Sequence, residues 1–232
     1  MSLADLSEST QNYLKIIWSI TEHSSEPAST SVIASRAGVR QSSVSDAIKR
    51  LRQAGLVQHQ PYGAIELTEE GHRYALSMIR RHRLIETFLV ETLGYSWDQV
   101  HDEAEVLEHA VSDTLIERLD QFLGHPSRDP HGDPIPSASG EMTHPPMAPL
   151  SHYAGSQEYR QELPLTLKVE RVSDANAQTL RACTHQGVIP GTLLTLCETN
   201  TGGQLTVHNG QGLPLRLSPA ETEAIFVSLP AS

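Results

Sequence analysis

The stretch TSVIASRAGVRQSSVSDAIKRLRQAGL, residues 30–56, constrains this chain more than any other. Its apolar residues fall at helical spacing on both sides of Gly38, and glycine is the residue that closes a helix in the left-handed conformation. The pattern predicts a short helix over TSVIASRA and a longer one over RQSSVSDAIKRLRQ, opened by a serine cap and closed at Gly55. Two helices joined by so tight a turn form a helix-turn-helix. The next run, VQHQPYGAIELT, holds two short β-type segments about Pro61-Tyr62-Gly63 and predicts a hairpin. Helix-turn-helix followed by hairpin is a winged helix. An amphipathic first helix over 9–23, with Tyr13, Ile16, Ile17 and Ile20 at helical spacing, completes that module.

The net charge of −11 argues against nucleic acid when taken as an average, because phosphate binding needs a basic surface. The average hides a division. Residues 36–83 carry nine Lys/Arg against four Asp/Glu, whereas residues 84–133 carry two Arg against twelve carboxylates. A basic module therefore precedes an acidic one. In the second helix of the helix-turn-helix, Val44, Ile48 and Leu51 point inward, while Arg40, Gln41, Ser42, Ser43, Ser45, Asp46 and Lys49 occupy the start and outer face. That small, polar and basic group suits a helix entering a major groove by its N-terminus. Arg50 and Arg52, with Tyr62 on the wing, are placed to hold phosphates.

The acidic module opens with a long helix, EEGHRYALSMIRRHRLIETFLVETL (69–93), ended at Gly94. A second helix is predicted from Val100 through IERLDQFLG. With His101 at zero on a wheel of about 100° per residue, Glu105, Glu108 and His109 fall within an arc of about 100° that borders the apolar stripe. The stripe is Val100, Ala104, Leu107, Val111 and Leu115. Unpaired carboxylates are costly to bury, and a cation is one standard compensation. His82 and Glu86 stand at i and i+4 on the long helix. Such pairs also decorate solvated faces, so spacing alone leaves metal binding and plain solvation both open. Imidazole with carboxylate suits Mn, Fe, Co, Ni or Zn, and no thiolate is in reach.

From Gly124 to about Leu163 the composition turns to Pro, Gly, Ser and His without a period, which predicts a linker that wraps or floats. Within it, Asp129, His131 and Asp133 read either as a further metal trio or, given Pro130, Pro134 and Pro136, as a rigid turn. Beyond it, LPLTLKVERV, GTLLTLCETN, GQLTVHNGQGLPLRL and EAIFVSL predict a small β-barrel of SH3 size with a short helix near AQTLRACTHQG. The expected organisation is mainly α with α+β parts. It comprises a winged helix-turn-helix over 1–73, a helical metal-binding and dimerisation domain over 74–140, a linker over 141–162 and an SH3-like barrel over 163–232. No apolar run approaches the roughly 18 residues of a membrane span, and MSLADLSEST has no basic start or apolar core of a signal peptide. A cytoplasmic protein with Cys183 and Cys197 as free thiols is expected.

VHDEAEVLEH with IRRHRLIETFL, the DPHGDPIP segment and a terminal β-barrel resemble the diphtheria toxin repressor-like metalloregulators, over residues 9–228. The resemblance implies one metal site from His82, Glu86 and His101, to which the barrel would add Asp174 and Gln178. It implies a second from Glu105, Glu108 and His109, completed from the first helix at Asn12, where manganese-type members commonly offer Asp. Iron-type relatives place Cys where this chain has Glu105, and exchanging thiolate for carboxylate hardens the site toward Mn²⁺. The expectation is a homodimeric, Mn²⁺-dependent repressor of manganese-uptake genes that binds double-stranded operator DNA at an inverted repeat, with no enzymatic activity, membrane contact or small-molecule substrate. Fe²⁺ is the alternative effector. A winged-helix regulator sensing a small organic ligand, with the His/Glu edge merely solvated, is the alternative of a different class. A metallohydrolase would need an open coordination position, a general base and a cleft, none of which the sequence marks.

Overall fold

The computed structural model describes residues 3–23, 27–59, 63–143, 146–199 and 204–230. The chain divides into two compact units, one of Met1–Ile85, Glu105–Arg118 and Ile135–Met142, the other of Glu86–Ala104, Leu119–Pro134 and Thr143–Ser232.

In the first unit, α1 (Glu8–His23) buries Tyr13, Leu14, Ile17, Trp18 and Ile20 against α2 (Thr30–Ala37) and α3 (Gln41–Gln53). Ser29 caps α2 through the Val32 N–H, and Gly38 ends it at φ 65°. The expected serine cap on α3 is not what the chain builds. The capping position is Arg40, whose side chain makes no capping hydrogen bond, while its carbonyl accepts from Ser43 and Val44. The serines lie two, three and five residues past that position, inside the helix, and stay exposed. Strands β1 (Val57–His59) and β2 (Ile65–Leu67) pair antiparallel with Val57 opposite Leu67. The wing tip at 60–62, including Tyr62, lies outside the described residues. Thr68 then starts α4 (Glu69–Leu93), its hydroxyl accepting from the Gly71 N–H and donating to the Gly55 carbonyl.

The second acidic helix departs from expectation: α5 (Val100–Ala110) and α6 (Asp113–Phe122) replace one continuous element. Ser112 accepts from Leu115 N–H through its hydroxyl and from Ile116 N–H through its carbonyl, which starts a new helix. Arg81 closes the old one by donating to the carbonyls of Glu108 (3.3 Å) and Val111 (2.6 Å). The apolar stripe divides too. Val100 and Ala104 are fully buried, but Leu115 is 44% exposed, while Glu108 on the charged edge is 0% exposed.

In the second unit, six antiparallel strands form a sheet of SH3-like type. They are β3 (Ala148–Pro149), β4 (Leu165–Val172), β5 (Leu193–Thr199), β6 (Leu205–Asn209), β7 (Pro214–Leu217) and β8 (Ile225–Ser228), in the order β3-β8-β4-β5-β6-β7. Leu167, Val169, Leu194, Leu196, Val207, Ile225 and Val227 alternate into its core, with α9 (Ala177–His185) and α10 (Pro219–Ala224) packed on it. The segment expected to be a linker is structured. It carries α7 (Leu150–Gly155) and α8 (Gln157–Arg160), with Leu150 and Tyr153 in the same core. Its few apolar residues suffice for that because they sit on one short helical turn beside a strand. Both cysteines are free thiols, and burial pushes Cys183 up to about 12. No helix among the described residues is long and apolar enough to cross a membrane.

Candidate metal centre and nucleic-acid interface

The outer face of α3 is presented as the sequence pattern predicts: Arg40, Gln41, Ser42, Ser43, Ser45, Asp46, Lys49 and Arg50 are all exposed, while Val44, Ala47, Ile48 and Leu51 are buried. The macrodipole of α3 and the exposed basic groups favour an anion at this end. Just beyond α3, a Cβ at Gly71 would stand 1.9 Å from the Leu56 carbonyl oxygen, so only glycine lets α4 pack there.

The first cluster of ligand-type groups joins α1, α4 and α5 within the first unit. Glu108 is its centre. One carboxylate oxygen is held 2.6 Å from His82 Nδ1 and the other accepts from Lys15 Nζ at 2.5 Å. Lys15 also donates to Glu105, whose carboxylate lies 3.7 Å from His82 Nδ1. Burial pushes the Glu108 carboxyl up, but the His82 hydrogen bond and the charges of His82 and Lys15 outweigh it and hold the group below its usual range. On the next residue, His109 Nδ1 faces Gln11 Oε1 at 2.7 Å, and the Gln11 amide donates to the carbonyls of Leu3 and Leu6. With Nδ1 as donor, the Nε2 lone pair of His109 turns toward Glu108, 3.6 Å away, and finds no hydrogen-bond partner among the described residues. Asn12 Oδ1 is likewise buried and unbonded.

Buried acceptors without donors are costly, and the unbonded His109 nitrogen beside the Glu108 carboxylate is what a cation would relieve. Ligand atoms of His82, Glu105 and Glu108 lie within 4.8 Å of one another, with His109 Nε2 beside Glu108, and these oxygen and imidazole donors fit a divalent first-row ion.

The second cluster lies within the second unit. Glu86, 1% exposed, has one oxygen 3.4 Å from His101 Nδ1 and the other 3.7 Å from His131 Nδ1. Asp174 Oδ2 is 3.6 Å from His101 Nδ1, and ligand atoms of Glu86, His131 and Asp174 all lie within 4.8 Å of one another. Gln178 is exposed in the first turn of α9. His131 is fully buried, stacked on Trp97 at 5.4 Å, with Nε2 against the Trp97 carbonyl at 2.7 Å. Burial pushes this imidazole down, but Glu86, Asp129 and Asp174 outweigh burial and raise it to about 9.

Of the trio Asp129, His131 and Asp133, it is the histidine that stands in that cluster with Glu86 and Asp174. Asp129 Oδ1 accepts the N–H groups of His131 and Asp133, and Asp133 accepts from Arg171 Nε at 2.7 Å. The rigid turn is therefore what the two aspartates make, and it delivers His131 to Glu86.

Two functional groups, Lys15 and Arg81, escaped the reading of the sequence, and a third, His131, was read there only within the trio with Asp129 and Asp133. Lys15 stands three residues after Asn12, one helical turn along α1, and that spacing was a usable signal. His131 was visible in DPHGDP but its direction was not. Arg81 was one letter of a basic run, and nothing local marks it as the cap of a helix some 30 residues away.

Comparison with known proteins identifies the family. Residues 5–65 match the family model for the iron dependent repressor N-terminal DNA binding domain, and residues 68–137 match that for the iron dependent repressor metal binding and dimerisation domain. The iron-dependent repressor IdeR of Mycobacterium tuberculosis is 29% identical over 93% of this chain and 96% of its own. The diphtheria toxin repressor of Corynebacterium glutamicum is 30% identical over 92% and 93%. A solved manganese-dependent transcriptional repressor in complex with manganese is 44% identical, with TM-score 0.86 over 95% of this chain and 100% of that one. The structure of the manganese regulator SloR is 34% identical with TM-score 0.75, over 95% and 98%.

Proposed function

The chain belongs to the iron-dependent repressor family and is a metal-dependent transcriptional repressor rather than an enzyme, and we propose from this that it represses manganese-uptake genes in response to Mn²⁺. The carrying observation is the donor set of the first cluster, where the carboxylates of Glu105 and Glu108 stand together beside His82, with His109 Nε2 3.6 Å from Glu108. Hard oxygen donors with imidazole favour Mn²⁺ over thiolate-seeking ions. The likeness to a repressor solved with manganese supports the same reading. Glu86, His101, His131 and Asp174 form the second site in this proposal, with His82 on α4 serving Glu108.

A bound cation supplies the positive charge that lets Glu105 and Glu108 approach without repulsion. The chain's own residues do the rest. Gln11 fixes the tautomer of His109 and ties the start of α1 to that ring, so the donors on α5 are coupled to the helix that packs behind α3. Two copies of α3 in a homodimer read the half-sites of an inverted repeat. Large apolar side chains left exposed on α4, α5 and α6, namely Leu93 (56%), Val106 (71%) and Phe122 (68%), support self-association. Metal shifts DNA affinity only through its preference for the DNA-competent arrangement, typically about 1 to 3 kcal/mol, and DNA tightens metal by the same factor.

The test is fluorescence anisotropy of an inverted-repeat promoter fragment, titrated in parallel with Mn²⁺, Fe²⁺ and Zn²⁺ without oxygen. Mn²⁺ should tighten binding, and alanine at Glu105, Glu108 or His109 should abolish the response. A response to Fe²⁺ and none to Mn²⁺ would replace the effector by iron, the reading that relatives named iron-dependent favour. DNA binding indifferent to every metal, in the parent and all three variants, overturns the proposal.

A further inference from the structure

We propose that the ammonium of Lys15 is a tethered cation seated in the place of the metal ion, and that the first cluster loads by expelling it. The inference rests on the metal reading of Glu105 and Glu108 above. Lys15 is 9% exposed, although lysine is among the residues least often buried, and its side chain runs inward from α1. Nζ donates to Glu105 and, at 2.5 Å, to the Oε1 atom of fully buried Glu108. That same oxygen is the one 3.6 Å from the unbonded His109 Nε2. The ammonium thus holds the carboxylate oxygen nearest the unbonded His109 nitrogen, while His82 takes the other oxygen.

A buried carboxylate pair needs a cation close by, and a lysine satisfies the charge without filling the remaining donors. An ammonium and a divalent ion cannot both sit on Glu108 Oε1 without placing like charges within a few ångströms of each other in a poorly solvated space. Entry of the ion therefore requires Nζ to leave, and the four-carbon stem of Lys15 allows it to swing away without moving α1. The metal-free cluster then stays neutralised and folded, and the ion must outcompete a cation whose effective concentration is set by the fold. Lys15 is a positioning residue that raises the metal level at which the repressor responds.

Isothermal titration of Mn²⁺ into the full chain tests this, with the first site identified as the one lost in Glu108→Gln. Lys15→Gln should bind at that site at least about tenfold more tightly than the parent, within the usual range of coupling between two ligands. Lys15→Arg, which keeps the charge, should not. A Lys15→Gln protein that binds equally or more weakly overturns the proposal while leaving the metal reading intact. A parent chain in which Glu108→Gln removes no site overturns both.

A second measurement needs no variant. The chain has three lysines, Lys15, Lys49 and Lys168, so acetylation read by mass spectrometry carries its own references. Lys15 should be protected relative to the other two in metal-free protein and should gain reactivity on adding Mn²⁺. Protection unchanged at saturating Mn²⁺ overturns the displacement.

Discussion

Replacing Arg81 with methionine removes the cap of α5 while keeping most of the buried stem. The guanidinium, 6% exposed as a residue, makes three contacts of unequal worth. Its hydrogen bond to the Val111 carbonyl at 2.6 Å is charge-assisted and partly buried, a class that contributes about 1.5 to 3 kcal/mol. The contact to the Glu108 carbonyl is longer, at 3.3 Å, and contributes about 0.5 to 1 kcal/mol. The ion pair with Asp113 is screened, since that carboxylate is 73% exposed, and is worth at most about 0.5 kcal/mol. The carbonyl bonds dominate, so Arg81→Met should cost about 3 kcal/mol and Asp113→Asn about 0.5 kcal/mol or less. Urea unfolding of the metal-free chain followed by circular dichroism measures both. Glu108 and His109 sit in the turn that Arg81 closes, so Mn²⁺ affinity in Arg81→Met should also fall by about tenfold, as when partners that orient a ligand are lost. Equal losses in the two variants, or a loss under about 1 kcal/mol in Arg81→Met, would refute the assignment of Arg81 as a cap rather than an ion-pair partner.

Further outcomes follow from other contacts. Gly71→Ala drives a methyl into the Leu56 carbonyl and should cost at least about 2 kcal/mol in thermal unfolding, with DNA binding weakened through α3. His131 has a folded pKa of about 9, above its ordinary value, so its stabilisation is complete below about pH 6.5 and is lost as pH rises through 9. Metal-free protein should therefore melt progressively lower from pH 6.5 to 9, by at most about 3 kcal/mol, and His131→Gln should flatten that dependence. Lys49→Ala should weaken binding evenly across DNA sequences and reduce the slope of log affinity against log salt by about 1, measured by anisotropy. Cys183 is fully buried with its thiol pushed up to about 12, so iodoacetamide at pH 8 should label Cys197 and spare Cys183 in native protein, as peptide mapping would show.

The fold was legible where the information is local. The ends of α1, α2 and α4 fall within a residue or so of the limits read from periodicity, Gly38 and Gly94, because capping and amphipathic spacing act over one turn. The break between α5 and α6 was not legible, since the apolar period runs unbroken across Ser112 and the deciding donor, Arg81, comes from another helix. For the same reason Leu115, in phase with Val100 and Ala104, stays exposed: once the helix restarts at Asp113 the phase no longer applies. The segment rich in Pro and Gly misled in the opposite direction. Its composition argued for a tether, yet Leu150 and Tyr153 gain enough burial against the sheet to order it.

By itself the sequence determined a winged helix with an exposed polar start to α3, a long α4, a terminal sheet, and the chemical types of the candidate ligands. Each of these is a property of residues a few positions apart, and backbone hydrogen bonding and helical period act over that distance. Only the tertiary structure decided what those ligands face. Lys15 meets Glu105 and Glu108 across 90 and 93 residues of chain, and His131 reaches Glu86 from a loop whose aspartates are spent on its own backbone and on Arg171. Whether a buried carboxylate is met by a metal or by an ammonium depends on which side chains share its few cubic ångströms, and no periodicity along the chain encodes that.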